Sequence, residues 1–180
     1  MQTNQSTLEG LVKTIMVYTA TTQAITWNPQ TVDVPSVTAQ FQRLSTDDKL
    51  GLLWIIYTEV GRSITPAAPG AARLQFAEGI LNQIKQMPQN EQLEVMRDLV
   101  KKVSTPITRA YGSLTSNTKL AFWYQLAELM KAGLVIPVPP NYQLSREANT
   151  VMAGLQNLSF NQQITVLRNA VADMGVDPLA

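Results

Sequence analysis

The sequence predicts an all-α protein, and three observations carry the prediction. Apolar residues recur at helical spacing in most segments, no segment alternates convincingly as a strand, and two stretches about seventy residues apart repeat one another. Near the N-terminus Leu8, Leu11, Val12 and Ile15 fall at i, i+3, i+4 and i+7, one face of a helix. Pro35, whose fixed φ suits a first helical turn, opens a short helix carrying Val37, Phe41 and Leu44. Ser45 then offers an N-cap oxygen, with Asp47 and Asp48 where a helix N-terminus favours negative charge, so the next helix is expected from about Thr46 to Gly61. Further helices are expected over Ala71 to Met87, Gln89 to Val103, Ile107 to Ser113, Asn117 to Lys131, Arg146 to Asn157 and Phe160 to Met174.

The repeat is the most informative feature. Leu44-Ser-Thr-Asp-Asp-Lys-Leu50 answers to Leu114-Thr-Ser-Asn-Thr-Lys-Leu120, each a polar cap leading into an aromatic-rich helix. Pro66-Ala-Ala-Pro69 answers to Pro137-Val-Pro-Pro140, and Gln92-Leu-Glu-Val-Met-Arg97 to Gln163-Ile-Thr-Val-Leu-Arg168, with a one-residue shift after the first block. Three blocks in one order make the chain a duplication, each half supplying about four helices. Two such halves leave a pseudo-symmetric seam, and helices of roughly 25 Å let that seam shelter an extended ligand.

Composition narrows the function. Lys and Arg total 14 against 13 Asp and Glu, scattered along the chain, so no charge field draws nucleic acid or an anionic membrane. The sequence has no cysteine and no histidine, which removes disulfides, thiol nucleophiles, the usual zinc sites and the commonest general base. Charged residues are 15% of the chain and hydrophobic ones 45%, which leaves apolar surface for a large core, a ligand or a partner. The most apolar window, Leu50 to Ile56, is far short of the ~20 residues that span a bilayer. With no basic, then apolar, N-terminal signal, an intracellular, cytoplasmic protein is expected.

Trp54 and Tyr57 stand three positions apart on one helix, and the repeated helix brings Trp123 and Tyr124 from the other half. By spacing alone such rings serve ordinary cores more often than a ligand site, and Met96 and Met130 are more often core gap-fillers than the lining of an adaptable tunnel. Arg168, inside the apolar run Ile164 to Val171, needs a partner, a wet cleft or an exposed end and is a candidate interface residue; the alternative is a snorkelling arginine paired with a local acid. Glu59, Glu78, Glu94 and Glu128 read as solvated helix faces. No phosphate loop, paired carboxylates or nucleophile with a base is found, and neither catalytic nor metal residues are assigned. A pigment-free adaptor binding a partner helix and an enzyme for an apolar small molecule are the readings from other classes.

Ile64-Thr-Pro-Ala-Ala-Pro-Gly-Ala-Ala72, Leu120-Ala-Phe-Trp-Tyr124 and Gln162-Gln-Ile-Thr-Val-Leu-Arg-Asn169 closely resemble the N-terminal domain of the orange carotenoid protein, and the resemblance runs from about Val34 to Gly175. It implies two interleaved four-helix subdomains holding one non-covalent keto-carotenoid of the canthaxanthin or echinenone type. Residues 1–33 are then an N-terminal arm and helix, and 34–180 the carotenoid-binding domain. By matching motif, Leu50, Trp54, Tyr57, Met96, Leu120, Trp123, Tyr124, Met130, Val138 and Tyr142 line the tunnel, joined by Ile64, Pro66, Ile164 and Thr165. Val138 replaces the family's more frequent isoleucine, and Arg73 its usual asparagine.

Because the sequence stops at Ala180 without the family's second, mixed α/β domain, it is most similar to the single-domain helical carotenoid proteins. These are associated with singlet-oxygen quenching, energy dissipation and pigment exchange with a separately encoded C-terminal-domain homologue. Arg168 matches the family arginine that faces the second domain and docks the phycobilisome, making a phycobilisome-bound quencher the alternative function. A monomer or weak dimer close to the thylakoid membrane completes the expectation.

Overall fold

A computed structural model describes residues 32–60 and 74–179. The expected N-terminal helix around Leu8 to Ile15, and Ile64, Pro66 and Arg73, lie outside the described residues. Within them the chain forms eight helices and no strand: α1 (Val34–Arg43), α2 (Thr46–Val60), α3 (Leu74–Gln86), α4 (Gln89–Lys101), α5 (Pro106–Gly112), α6 (Ser116–Lys131), α7 (Arg146–Gln156) and α8 (Phe160–Ala172). The helix starts follow local chemistry. Asp33 Oδ1 caps α1 from Ser36 N at 2.8 Å, and Ser45 Oγ caps α2 from Asp48 N at 3.1 Å. Thr105 and Thr108 form a capping box on α5, while Thr115 and Ser145 cap α6 and α7. The α4 helix ends two residues before its expected limit because Lys102 turns left-handed at φ 57°.

The repeat organises the tertiary structure. It pairs α1 with α5, α2 with α6, α3 with α7 and α4 with α8, and the main helix contacts obey it. Helix α1 packs on α7 and α8 of the second half, as α5 packs on α4 and α3 of the first; α2 meets α4 and α7, as α6 meets α8 and α3. The two four-helix sets are therefore interleaved, each leading helix burying its apolar face on the other half: Val37 and Phe41 in α1, Ile107 and Tyr111 in α5. Neither half keeps its core without the other. Helices α2 and α6 meet each other directly and form the walls of the seam.

Two buried polar side chains fix the connection between α6 and α7. Gln92 accepts from Ile136 N at 2.7 Å and donates to Leu134 O at 3.4 Å. Asp48 accepts from Ser145 N at 3.1 Å, Tyr142 Oη at 3.2 Å and Ser45 Oγ at 3.0 Å. Burial pushes the Asp48 carboxyl up, but these hydrogen bonds outweigh it and hold it below its ordinary value. Burial, followed by the Asp48 charge, pushes the Tyr142 phenol up to about 12. The Tyr142 ring lies against Gly51, where a Cβ would stand 2.3 Å from its Cε1.

Candidate functional site

An apolar cleft runs between α2, α4, α6 and α8. Helix α2 contributes Leu50, Leu53, Trp54, Ile56 and Tyr57, and α6 contributes Leu120, Trp123, Tyr124, Leu126, Ala127 and Met130; Met96 from α4 and Leu167 from α8 complete it. The structure thus gathers Leu50, Trp54, Tyr57, Met96, Leu120, Trp123, Tyr124 and Met130 into one site. Val138 is half-buried against the core, Tyr142 sits on Gly51, and Ile164 and Thr165 are half-buried on α8, where Leu167 instead reaches the cleft. Sequence reasoning missed Leu53, Ile56, Leu126, Ala127 and Leu167, yet the repeat held the signal. Leu53 is equivalent to Trp123, Tyr57 to Ala127 and Met96 to Leu167, so mapping the candidates onto the other half finds three of the five, while Ile56 and Leu126 are equivalent to each other and share the faces of their helices with the candidates.

The aromatic groups from both halves touch. Tyr57 packs on Trp54 with ring centroids 5.8 Å apart and edge-on to Tyr124 at 5.4 Å. Tyr57 Oη donates to the Glu128 carboxylate, tying α2 to α6. Glu128 is exposed as expected but is a hydrogen-bond acceptor as well as a solvated group, and Glu94 likewise is an ion-pair partner. Trp123 is the buried member, with Nε1 donating to Tyr111 Oη at 2.9 Å. The space between these side chains is about 60 Å³, room for a few waters. Among the described residues no charged group lines the cleft, so the arrangement suits stacking and water exclusion, and no acidic cluster is placed to hold a metal.

Arg168 projects from α8, half-exposed, and its Nε donates to Asn117 Oδ1 at 2.8 Å. Its equivalent in the first half, Arg97, donates from Nε and Nη2 to Asp47 at 2.9 and 3.1 Å and from Nη1 to Glu94 at 2.7 Å. These carboxylates raise the Arg97 pKa further.

Compared with known protein families, residues 28–177 match the one described as Orange carotenoid protein, N-terminal. The chain belongs to this family. An Orange carotenoid-binding domain-containing protein of Nostoc sp. (strain PCC 7120) is 63% identical over 147 residues, covering 82% of this chain and 86% of that protein. Among solved structures, the Orange Carotenoid Protein of Anabaena (Nostoc) sp. PCC 7120 binding canthaxanthin matches with a TM-score of 0.74 at 51% identity, over 84% of this chain and 50% of that one. The Red Carotenoid Protein from the same source, also binding canthaxanthin, matches with a TM-score of 0.71 at 38% identity, over 80% of this chain and 99% of that one. The chain therefore spans about half the length of the Orange Carotenoid Protein it matches and nearly all of the Red Carotenoid Protein. The family's interleaved all-helical fold is the one described above. Among the described residues, no helix is long and apolar enough to cross a membrane.

Proposed function

We propose that this chain binds one keto-carotenoid, of the canthaxanthin or echinenone type, in the cleft between α2, α4, α6 and α8 and serves photoprotection through singlet-oxygen quenching and energy dissipation. The observation that carries the reading is the cleft itself, apolar and aromatic along its length and built from equivalent residues of both halves. Its α2 wall is about 22 Å long at 1.5 Å per residue, which suits an extended cargo. A polyene offers almost no hydrogen-bonding groups, so its affinity comes from apolar burial at roughly 25 cal/mol per Å² together with ring contact. When bound, the pigment supplies low-lying excited states that take up excitation and release it as heat. The protein's share is to hold it: Trp54, Tyr57, Trp123 and Tyr124 stack, Met96 and Met130 adapt to its shape, and Leu50 and Leu120 exclude water. On this reading 34–180 is the carotenoid-binding domain and 1–33 an arm.

A second reading, docking to an acidic partner such as the phycobilisome or a separately encoded C-terminal-domain homologue that donates pigment, is supported by the company of Arg168. Its bond to a neutral amide leaves a full positive charge at the surface, where Arg97 has its own carboxylates.

The test of the first reading is the visible spectrum of the protein purified from a host that makes keto-carotenoids. A broad, red-shifted polyene band co-eluting with the protein is expected. A colourless, well-folded helical protein overturns the assignment and favours the adaptor.

A further inference from the structure

The deepest polar contact of the cleft belongs to a residue that does not line it. Tyr111, on α5, is 0% exposed; its hydroxyl accepts from Trp123 Nε1 at 2.9 Å and donates to Val171 O, near the end of α8, at 2.8 Å. The ring is held on all sides. Phe122 meets it edge-on at 5.1 Å, and the Lys119 ammonium sits 5.0 Å above it while donating to Ala172 O and Met174 O. A Cβ on Gly175 would stand 2.5 Å from its Cδ1. Burial pushes the phenol well above its ordinary value, so it keeps the proton it donates to Val171.

The first half shows what the hydroxyl is for. Val37, Thr38, Phe41 and Leu44 are equivalent to Ile107, Thr108, Tyr111 and Leu114, which extends the repeat back through α1 and α5. The partner of Tyr111 is thus Phe41, buried to the same degree, and the partner of Trp123 is Leu53. A buried ring is needed at this place in both halves. The hydroxyl occurs only in the half where the equivalent cleft position holds an indole, Trp123 rather than Leu53, whose buried N–H needs an acceptor.

We infer that Tyr111 is a positioning residue for the ligand, fixing the tilt of the Trp123 ring against the cleft and so the register of the pigment. The inference rests on the carotenoid reading given above. Trp123 is locked through α5 to the end of α8, whereas Trp54, at the α2 wall, is half-buried and packs on Tyr57. One wall is a fixed reference and the other adapts, the arrangement that gives a binding site both precision and access.

The test uses the full chain with Tyr111→Phe, which keeps the ring and removes one oxygen. Far-UV circular dichroism is expected to be unchanged while the near-UV tryptophan signal changes. The bound keto-carotenoid's band is expected to move to shorter wavelength, and pigment retention to fall roughly five- to tenfold, the scale of one buried donor left without an acceptor. In a Trp123→Phe background the same change is expected to move neither pigment readout further. Unchanged band and retention, or an equal effect in both backgrounds, overturns the inference and leaves Tyr111 as packing. If Tyr111→Phe does not fold, deuterium exchange of the Trp123 indole N–H in the native protein decides: slow exchange is expected, and exchange at the rate of an exposed indole overturns it. A native chain that takes up no carotenoid defeats the carotenoid reading instead, while the near-UV and exchange measurements still report whether Tyr111 holds the indole.

Discussion

Arg97 on α4 and Arg168 on α8 occupy equivalent places in the two halves, and each donates from Nε to the second residue of the facing helix, at 2.9 and 2.8 Å. The geometry is shared and the charge is not: Arg97 meets Asp47 and Glu94, while Arg168 meets Asn117, with Thr165 at the position of Glu94. The first arginine staples α2 to α4 and is neutralised within the chain. The second keeps the staple but, among the described residues, has no carboxylate against its guanidinium. The cleft repeats the lesson, with Trp123 on Tyr111 in one half and Leu53 equivalent to Trp123, Phe41 to Tyr111, in the other. Duplication supplies the frame, and departures from it mark where the halves do different work.

The sharpest way to break this comparison is at the two tryptophans. Trp123→Ala, at a buried ring with a buried N–H partner, is expected to lower stability by about 3–5 kcal/mol in urea unfolding, whereas Trp54→Ala, at a half-buried ring, is expected to lower it by about 1–2 kcal/mol. Both are expected to lower pigment retention, and full retention in both variants sinks the tunnel assignment. Asp48 gives a smaller effect. Because its folded pKa lies below its ordinary value of 3.8, the unfolded chain binds more protons between the two. Its stabilisation is therefore present above about pH 4 and lost as pH falls through that window. Replacing it by threonine, the residue at the equivalent position 118, is expected to flatten that part of the acid-unfolding curve; an unchanged curve contradicts the assignment.

The smallest effects on stability are expected at the arginines and sharpen the comparison most. Asp47→Asn makes the first cluster resemble the second and is expected to change stability by less than about 1 kcal/mol, as exposed ion pairs do. Asn117→Asp makes the second resemble the first. It is expected to leave pigment uptake unchanged while weakening binding to an acidic partner, read as retention on phycobilisomes or on a C-terminal-domain homologue at low salt. Equal retention of Asn117→Asp and the native chain removes Arg168 from the interface.

Much of this was legible in the sequence. Ser45 announces its helix because a cap is a local event between a side chain and a backbone amide three residues on. Leu50, Trp54, Tyr57 and their counterparts share a helix face by spacing alone. Glu94 and Glu128, by contrast, read as solvated faces because the sequence does not say that Arg97 reaches Glu94 or that Tyr57 reaches Glu128 across the seam. Ile164 and Leu167 lie on one apolar helix, and only the angle at which α8 meets α6 decides that Leu167 faces the cleft.

The sequence by itself determined the helices, their caps and the duplication, since periodicity, capping and repeat are properties of residues close along the chain or aligned by a constant offset. The tertiary structure alone decided that the halves exchange their leading helices, that Tyr111 stands behind Trp123, and that Arg97 meets carboxylates where Arg168 meets the Asn117 amide. Each of these depends on groups far apart in sequence, brought together by burial of apolar faces, a force with no direction of its own until the whole set of helices has packed.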